Sequence, residues 1–147
     1  MADPYPQEKR SWIMSRVRGR DTKPEIVVRS LVHRMGFRFR VHRRDLPGTP
    51  DIVFPRLRKV ILVHGCFWHG HRGCKRSKRP TTNAEFWNDK LSRNLIRDRR
   101  SRRALRRAGW QVLVIWQCET RRPDKLLKRL QAYLYAETGQ RIQLPRP

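Results

Sequence analysis

The stretch PDIVFPRLRKVILVHGCFWHGHRGC, which runs from Pro50 to Cys74, decides how this chain folds. Two runs within it are rich in β-branched residues, DIVF at 51–54 and KVILVHG at 59–65, and they predict two neighbouring strands of a half-buried sheet. The same stretch holds an aspartate, three histidines and two cysteines, and Cys66 is followed directly by Phe67 and Trp68. The chemistry of the protein therefore has to explain why metal-binding groups gather next to aromatic side chains.

Further elements flank these strands along the chain. Thr22 predicts an N-cap with Glu25 three residues later, as in a capping box, and Gly36 predicts the end of that helix. The alternation at 37–41 predicts another strand. The remaining predicted elements are a short helix at 10–20, a long helix at 84–108, a strand at 110–116 and a helix from Pro123 to about Glu137. This order predicts a mixed α/β sheet with helices on its flanks.

Length and composition limit the class of protein. The 147 residues suit a single domain, which we place at 10–137 between a flexible arm at 1–9 and a tail at 138–147. Lysine and arginine total 36 against 12 acidic residues, so the formal charge of +24 predicts a polyanionic partner. Apolar runs fall short of the ~20 residues of a membrane span, and MADPYPQEKR lacks the apolar centre of a secretory signal. Three cysteines, an odd number, favour a reducing compartment, and we expect a cytoplasmic, nucleoid-associated protein.

The cysteines provide the first candidate site. Cys66, His71 and Cys74 lie close together in sequence, and Cys118 follows the strand WQVLVIW far downstream. Three thiolates and one imidazole suit tetrahedral zinc in a closed, structural site. The segment 66–82 has few apolar residues to fold it, so a metal would pin it to the sheet. In the alternative, Cys118 is an ordinary buried thiol and the other residues belong to a loop without metal.

Asp51 is the candidate ligand of a second, catalytic metal. It starts a strand after a turn rich in glycine and proline, where metal-dependent nucleases place a carboxylate that holds Mg²⁺. One of His64 and His69 is a candidate general acid or base, because imidazole titrates near neutrality. Asp51 also has an interpretation as a turn residue, and the histidines as hydrogen-bonded structural groups. Glu25 is explained by its capping role, yet it would reach water at the metal if its helix packs near Asp51.

The aromatic residues form a third group. Phe67 and Trp68 lie inside the loop of candidate metal ligands, and Phe86 and Trp87 begin the helix that follows it. Aromatic side chains among arginines wedge between base pairs or stack on flipped bases. The alternative for Phe86 and Trp87 is a small satellite core over the zinc.

Five segments carry a resemblance to a known family. They read MSRVRGRDTKPE, FRFRVHRRDLPGTPDIVF, VHGCFWHGHRGC, EFWNDKLSRNLIRDRR and LRRAGWQVLVIWQCE. From about Arg10 to about Leu127 the chain resembles the very short patch repair (Vsr) DNA mismatch endonucleases. The resemblance implies a fold like that of type II restriction endonucleases, of the PD-(D/E)xK type. It also implies an enzyme that nicks one strand 5′ to the thymine of a T·G mismatch, left when 5-methylcytosine deaminates, and so starts very short patch repair.

The resemblance implies a role for each candidate residue. Asp51 and the backbone carbonyl of Val63 would hold Mg²⁺, and His69 would be the general acid–base residue. Glu25 and His64 would order water at the metal. The implied zinc ligands are Cys66, His71, Cys74 and Cys118. The implied intercalating residues are Phe67, Trp68 and Trp87 from the major groove and Met14 from the minor groove.

Two positions depart from the family pattern. Val63 stands where threonine is common, which a backbone-carbonyl ligand tolerates, and the spacing from His71 to Cys74 is one residue longer.

The implied partners are double-stranded DNA with a T·G mismatch and a MutL-type repair protein, bound by a monomer. Two rival functions stay open: an Mg-dependent nickase of the same fold with another trigger, and a zinc-stabilised protein that binds nucleic acid without cutting it.

Overall fold

The computed structural model describes residues 21–136. The predicted arm at 1–9, the predicted helix at 10–20 with Met14, and the tail at 138–147 lie outside the described residues. Between residues 21 and 136, no helix is long and apolar enough to cross a membrane.

Three α-helices and four strands form the regular structure of residues 21–136, in the order that the sequence predicts. They are α1 (Lys23–Arg34), β1 (Arg40–Val41), β2 (Ile52–Phe54), β3 (Lys59–His64), α2 (Ala84–Arg107), β4 (Gln111–Trp116) and α3 (Pro123–Tyr135). Short 3₁₀ turns occupy Lys75–Ser77 and Gln117–Arg121. The predicted class is confirmed as one α/β domain with a mixed sheet.

Helix α1 begins after the capping residue that the sequence predicts. At its other end, hydrogen bonding to its carbonyls continues beyond its last residue. Thr22 Oγ1 accepts a hydrogen bond from the Glu25 N–H at 3.4 Å. At the other end, the Phe37 N–H donates to the Val32 carbonyl at 3.2 Å, as in a helix C-cap. The predicted strand 37–41 is therefore wrong in its first half, because Phe37 is bonded to the helix end and only the last two residues pair in the sheet.

The sheet has the order β1-β2-β3-β4, with β2 antiparallel to both neighbours and β4 parallel to β3. Ile52 of β2 pairs with Ile61 of β3. His64 at the end of β3 pairs with Trp116 at the end of β4. Helix α2 makes the crossover that a parallel pair requires. The start of β2 and the ends of β3 and β4 consequently meet at one edge of the sheet.

Apolar side chains pack on both faces of the sheet. Helices α1 and α3 cover one face, with Val28, Val32, Ile52, Phe54, Ile61, Leu126, Leu130 and Leu134 in the buried cluster. Helix α2 covers the other face, with Val53, Val60, Leu105 and Trp110 in a smaller cluster. Ile52 and Val53 belong to different clusters because successive strand residues point to opposite faces. The sheet edge is thus flanked by α1 on one side and by α2 on the other.

The turn before β2 touches α2 closely at Gly48. Its φ is +71°, and a Cβ there would lie 2.7 Å from the Cβ of Ser101. A larger residue would have to displace the turn or the helix, and it would also adopt a strained backbone conformation. The turn that precedes Asp51 and β2 therefore packs directly against α2.

Candidate active site

A cavity of about 1030 Å³ opens at the sheet edge where β2 starts and β3 ends. The first turn of α1, the sheet edge and the middle of α2 line it. Its acidic and imidazole groups belong to Glu25, His42, Asp51, His64, His69 and Asp98. Val63, Trp68, Lys90, Asn94 and Arg97 also line it. Glu25, Asp51, His64 and His69 are candidates from the sequence, and Asp98 is not.

Asp51 is fixed by the neighbouring strand. Its Oδ2 accepts a hydrogen bond from the Val63 N–H at 2.6 Å. Burial raises the pKa of Asp51 to about 7 against the effect of the Val63 N–H, and the negative charge of Glu25 adds to the rise. Because this folded-state pKa lies above the ordinary 3.8, ionisation of Asp51 lowers the free energy of unfolding as the pH rises from about 4 to about 7. A cation beside the carboxylate would offset that loss.

Glu25 is almost fully buried at the start of α1. Its Oε2 accepts hydrogen bonds from the Asp21 N–H and from Arg29 Nη2, each at 2.9 Å. The capping box is therefore only partly formed. Thr22 accepts from the Glu25 N–H, but the Glu25 carboxylate accepts from the Asp21 N–H and not from the Thr22 N–H. Since Glu25 also lines the cavity with Asp51, its capping role and a place near a metal are compatible.

The rings of His64 and His69 stack with a centroid distance of 3.9 Å and an interplanar angle of 10°. Burial, with a smaller contribution from the adjacent His69, lowers the pKa of His64 to about 3. His64 is therefore neutral at neutral pH. Its buried Nδ1 has no hydrogen-bond partner within residues 21–136. These properties suit His64 to orienting water or the neighbouring His69 ring. They do not suit it to accepting a second proton and becoming an imidazolium.

His69 differs from His64 because it has an acidic partner on α2. His69 Nδ1 lies 2.7 Å from Oδ2 of Asp98. When Nδ1 carries the proton, it donates to the carboxylate and leaves Nε2 as the acceptor. Asp98 then orients the ring and stabilises the imidazolium that proton uptake creates. The pair makes His69 the candidate for proton transfer in the cavity.

Asp98 is the site residue that sequence reasoning missed. It lies in the run RDRR at 97–100, where one acidic residue among arginines resembles a solvated helix face. A usable signal exists in the spacing, since Asp98 lies seven residues from both Leu91 and Leu105, two buried positions of α2. Seven residues make about two helical turns, so Asp98 shares the inward side of the helix with them.

Three cysteines and one histidine meet at the same edge of the sheet. The ligand atoms of Cys66, His71, Cys74 and Cys118 lie within 4.8 Å of one another. Cys118 Sγ is 3.5 Å from His71 Nδ1. Tetrahedral zinc with bonds of about 2.3 Å to sulfur separates its ligands by roughly 3.8 Å, so both the donor set and its size fit zinc. The four residues predicted from the sequence are the four that come together.

The loop that carries these ligands is ordered by its own contacts. The His71 N–H donates to the Cys66 carbonyl at 2.9 Å, and the His71 ring stacks on Trp116 at 4.2 Å. Burial raises the pKa of the Cys66 thiol to about 11, so the thiolate that binds metal forms only when a cation compensates for its charge. At Gly73, φ is +74° and nothing lies within 4 Å of a Cβ position, so the longer loop is accommodated in open space.

Four aromatic rings cluster where this loop meets the start of α2. Phe67 contacts Trp68 and Trp87 edge-on, at centroid distances of 5.1 and 5.5 Å. Phe86 contacts Trp87 at 5.2 Å. Trp87 is 5% exposed and forms the base of the cluster, whereas Phe67 and Trp68 are half-buried. Trp87 thus supports the other rings in this structure, and its own intercalation stays a prediction that requires the cluster to open.

Comparison with known proteins shows which family the chain belongs to. A family model described as DNA mismatch endonuclease Vsr matches residues 2–76. The chain is 44% identical over 126 residues to the DNA mismatch endonuclease Vsr of Escherichia coli strain K12, an alignment that covers 86% of this chain and 80% of the relative. The chain belongs to the Vsr family. The resemblance carried by the five sequence segments is confirmed.

Other Vsr-family relatives have a different kind of name. A type II nicking enzyme of Xanthomonas oryzae pv. oryzae is 52% identical over 119 residues, which are 81% of this chain and 87% of the relative. A type II nicking enzyme of Neisseria meningitidis serogroup A is 36% identical over 130 residues, which are 88% of this chain and 92% of the relative. Family membership therefore leaves open what triggers cutting.

The substitution Asp98→Asn is expected to slow DNA cleavage by about 10²-fold or more. The amide keeps the size of the side chain but donates to His69 Nδ1, which favours the tautomer with the proton on Nε2. The measurement is the single-turnover cleavage rate, together with the NMR signature of the His69 ring. Asp89→Asn is the matched control, because Asp89 is exposed on the same helix and pairs with Arg93. Equal rates for the two variants would contradict the proposed positioning by Asp98.

Proposed function

We propose that this protein nicks one strand of double-stranded DNA 5′ to the thymine of a T·G mismatch that arises when 5-methylcytosine deaminates. One observation carries the proposal: Trp68 of the aromatic cluster lines the same cavity as Asp51 and His69. A side chain that can enter a base stack and groups that can hydrolyse a phosphodiester therefore share one space. The formal charge of +24 supplies the attraction to DNA that both require.

Asp51 and the backbone carbonyl of Val63 are the proposed ligands of Mg²⁺. Both residues line the cavity, and the Asp51 carboxylate fits a cation because burial disfavours its negative charge. Oxygen donors of this kind are the ligands that Mg²⁺ prefers. When bound, Mg²⁺ supplies positive charge that stabilises the scissile phosphate as negative charge develops on it.

His69 is the proposed proton acceptor for the attacking water. Its Nε2 takes the proton while Asp98 accepts the hydrogen bond from Nδ1 and stabilises the imidazolium. The neutral His64 ring packs against His69 without adding a positive charge that would oppose proton uptake. Glu25, held at the start of α1, presents its carboxylate to the cavity, where it orients water.

Zinc is the proposed ion of the cysteine and histidine set. Three thiolates and one imidazole complete a tetrahedron and leave no position for substrate, so the role is structural. Cys66 and His71 bracket Phe67 and Trp68 in sequence, so holding both ends of this short segment also holds the two rings. Asn94 Nδ2 donates to the Trp68 carbonyl at 3.1 Å and ties the same segment to α2.

Mismatch preference follows from the cost of inserting these rings. A mismatched step is less well stacked than a matched one, so insertion of Phe67 and Trp68 there requires less than the few kcal/mol that ordinary unstacking costs. Discrimination then comes in part from the deformability of the DNA. The family relation is also the ground for proposing a MutL-type repair protein as a partner of a monomeric enzyme.

A second candidate function is nicking at a plain sequence or at a modified base. It is favoured by the relatives from Xanthomonas and Neisseria, which are named type II nicking enzymes. A third candidate, a zinc-stabilised protein that binds nucleic acid without cutting it, would make Asp51 and His69 dispensable. The three candidates differ in which DNA is cut and whether Asp51 is needed.

A nicking assay on T·G duplex, matched duplex and single strands, each with and without Mg²⁺, tests the proposal. We expect nicking of the T·G duplex with Mg²⁺, and loss of nicking in Asp51→Asn, because the amide keeps the shape but removes the charge that holds the cation. DNA binding by this variant should be equal or tighter. Metal-free Asp51→Asn should also melt at a higher temperature at pH 8, because the buried carboxylate that resists ionisation is gone.

Asp45→Asn is the matched control for this substitution, since Asp45 is an exposed carboxylate in the segment before β2 and pairs with Arg43. It should nick at the unmodified rate. Equal nicking of matched and T·G duplexes would favour the second candidate function. Full activity of Asp51→Asn would remove Asp51 from the site.

Elemental analysis of the purified protein should find one tightly bound zinc per chain. Cys118→Ser and His71→Gln should each release the ion and lower the melting temperature, because the free energy of metal binding contributes to folding. His33→Gln is the control, since His33 is exposed on α1 and lies outside the ligand set. Protein that folds stably and contains no zinc would overturn the assignment.

Trp68→Ala should separate recognition from folding. Removal of a stacking ring worth roughly 1–3 kcal/mol should shrink the preference for T·G over matched duplex, while non-specific affinity and its salt dependence stay nearly unchanged. Phe86→Ala is the comparison variant, because Phe86 belongs to the same cluster but does not line the cavity. The paired measurements are melting temperature and affinity for both duplexes at two salt concentrations. A destabilised Trp68→Ala with unchanged T·G preference would assign Trp68 to the satellite core.

A further inference from the structure

Helix α2 carries a row of arginines on its outer side. Their spacing of four, three, three and four residues places them on one face of a helix. The row, here called the arginine stripe, consists of Arg93, Arg97, Arg100, Arg103 and Arg107, and every member is exposed. The buried positions Leu91 and Leu105 lie on the other side of the helix. The stripe is therefore a continuous cationic surface that faces away from the core.

The charges of the stripe are largely uncompensated within the described part of the chain. Arg93 pairs with Asp89 at 2.8 Å, and both side chains are more than half exposed. The other four arginines have no carboxylate partner among residues 21–136. Like charges three and four residues apart disfavour a helix. A polyanion laid along the stripe would remove this repulsion.

The second arginine of the stripe lines the cavity, and the members after it continue along α2 beyond the cavity. Arg97 lines the cavity with Asp51 and His69. Arg107 lies ten residues further along α2, which is about 15 Å at the helical rise of ~1.5 Å per residue. Duplex DNA rises by about 3.4 Å per base pair, so the stripe reaches roughly four base pairs beyond the cavity.

We propose that the arginine stripe binds the phosphate backbone of the duplex on one side of the nick, independently of the mismatch. The inference rests on the proposed function and adds to it an asymmetric footprint, with one DNA arm held by α2. Arginine suits this role because its planar guanidinium pairs with two phosphate oxygens. This binding would anchor the duplex and hold the scissile strand over Asp51.

The chemistry of the stripe favours DNA over an acidic protein. Protein interfaces place apolar and aromatic residues at their centre and charged residues at the rim. Ile96, which is 55% exposed, is the one large apolar side chain exposed between Arg93 and Arg107. A surface of arginines with so little apolar area fits a regular row of phosphates better than a folded partner.

A triple variant with Arg100→Gln, Arg103→Gln and Arg107→Gln tests the stripe. The slope of log affinity against log salt for T·G duplex should fall by about 2–3, because each phosphate that an arginine neutralises contributes ~0.9 to the slope. The ratio of the DNA affinity of the unmodified protein to that of the variant should then fall by about 40-fold between 50 and 200 mM salt. Glutamine is a good helix former, so the helix should persist, which circular dichroism and the melting temperature will check.

The matched control is a triple variant with Arg122→Gln, Lys125→Gln and Lys128→Gln. These three exposed cations lie at the start of α3 and on α3, which covers the face of the sheet opposite α2. The two variants remove the same formal charge from different faces. The control should keep the salt slope of the unmodified protein. That result would distinguish DNA binding by the stripe from attraction of DNA by the net charge of the whole protein.

Duplexes with one arm shortened stepwise locate the bound arm. Removal of base pairs from one arm, and not from the other, should weaken binding of the unmodified protein, and the stripe variant should be insensitive on that arm. Equal salt slopes for the stripe and control variants, or equal sensitivity to both arms, would overturn the proposal and leave an acidic protein as the partner to seek.

If the stripe variant fails to fold, the double variant Arg103→Gln with Arg107→Gln decides, with an expected fall in slope of about 2. Failure of the unmodified protein to nick T·G duplex would refute the proposed function, whereas the slopes would still decide the stripe.

Discussion

The hydrogen bond from the Val63 N–H to the Asp51 carboxylate, at 2.6 Å, joins the start of β2 to the end of β3, and the site depends on that junction. Antiparallel pairing brings Asp51 to the end of β3, where the chain continues through His64 into the loop of metal ligands. Parallel pairing with β4 brings Trp116 to the same edge, and Cys118 follows it. A shift of β2 by one residue would turn its side chains to the other face and remove the carboxylate from the cavity.

The two proposed cation sites lie side by side because the strand ends deliver two kinds of donor. The side chains of Asp51 and Glu25 line one cavity, and the negative charge of Glu25 contributes to the raised pKa of Asp51. Sulfur ligands lie only a few residues beyond, where Cys66 and Cys118 follow adjacent parallel strands. Because hard oxygen donors favour Mg²⁺ and soft thiolates favour zinc, each proposed ion would bind at its own site despite their proximity.

The sequence predicts this fold well where local pattern and tertiary packing agree. Strands β2, β3 and β4 are β-branched runs that also form the core, and α1 begins at its capping residue Thr22. The prediction fails where a hydrogen bond that the sequence pattern does not reveal decides the structure. Phe37 alternates like a strand residue but is bonded to the end of α1, and Asp98 looks solvated among arginines but holds His69. The cluster of four candidate metal ligands could be predicted because the chain contains only three cysteines to place and His71 lies between two of them.

Helix α2 links the parts of the site because it presents a different group on each side. Asp98 faces the histidines, Asn94 holds the carbonyl of Trp68, and a methyl group of Leu95 would lie 3.3 Å from a Cβ at Gly70, so the aromatic loop rests on the helix. The arginine stripe lies on the outer side of the helix, where Arg97 alone among its members also lines the cavity. These groups are separated by fixed multiples of the helical rise, so the His69–Asp98 pair, the aromatic loop and the cationic surface keep a constant spacing. A rigid element of this kind can position a wedge, a scissile phosphate and a flanking strand together, which three independent loops could not.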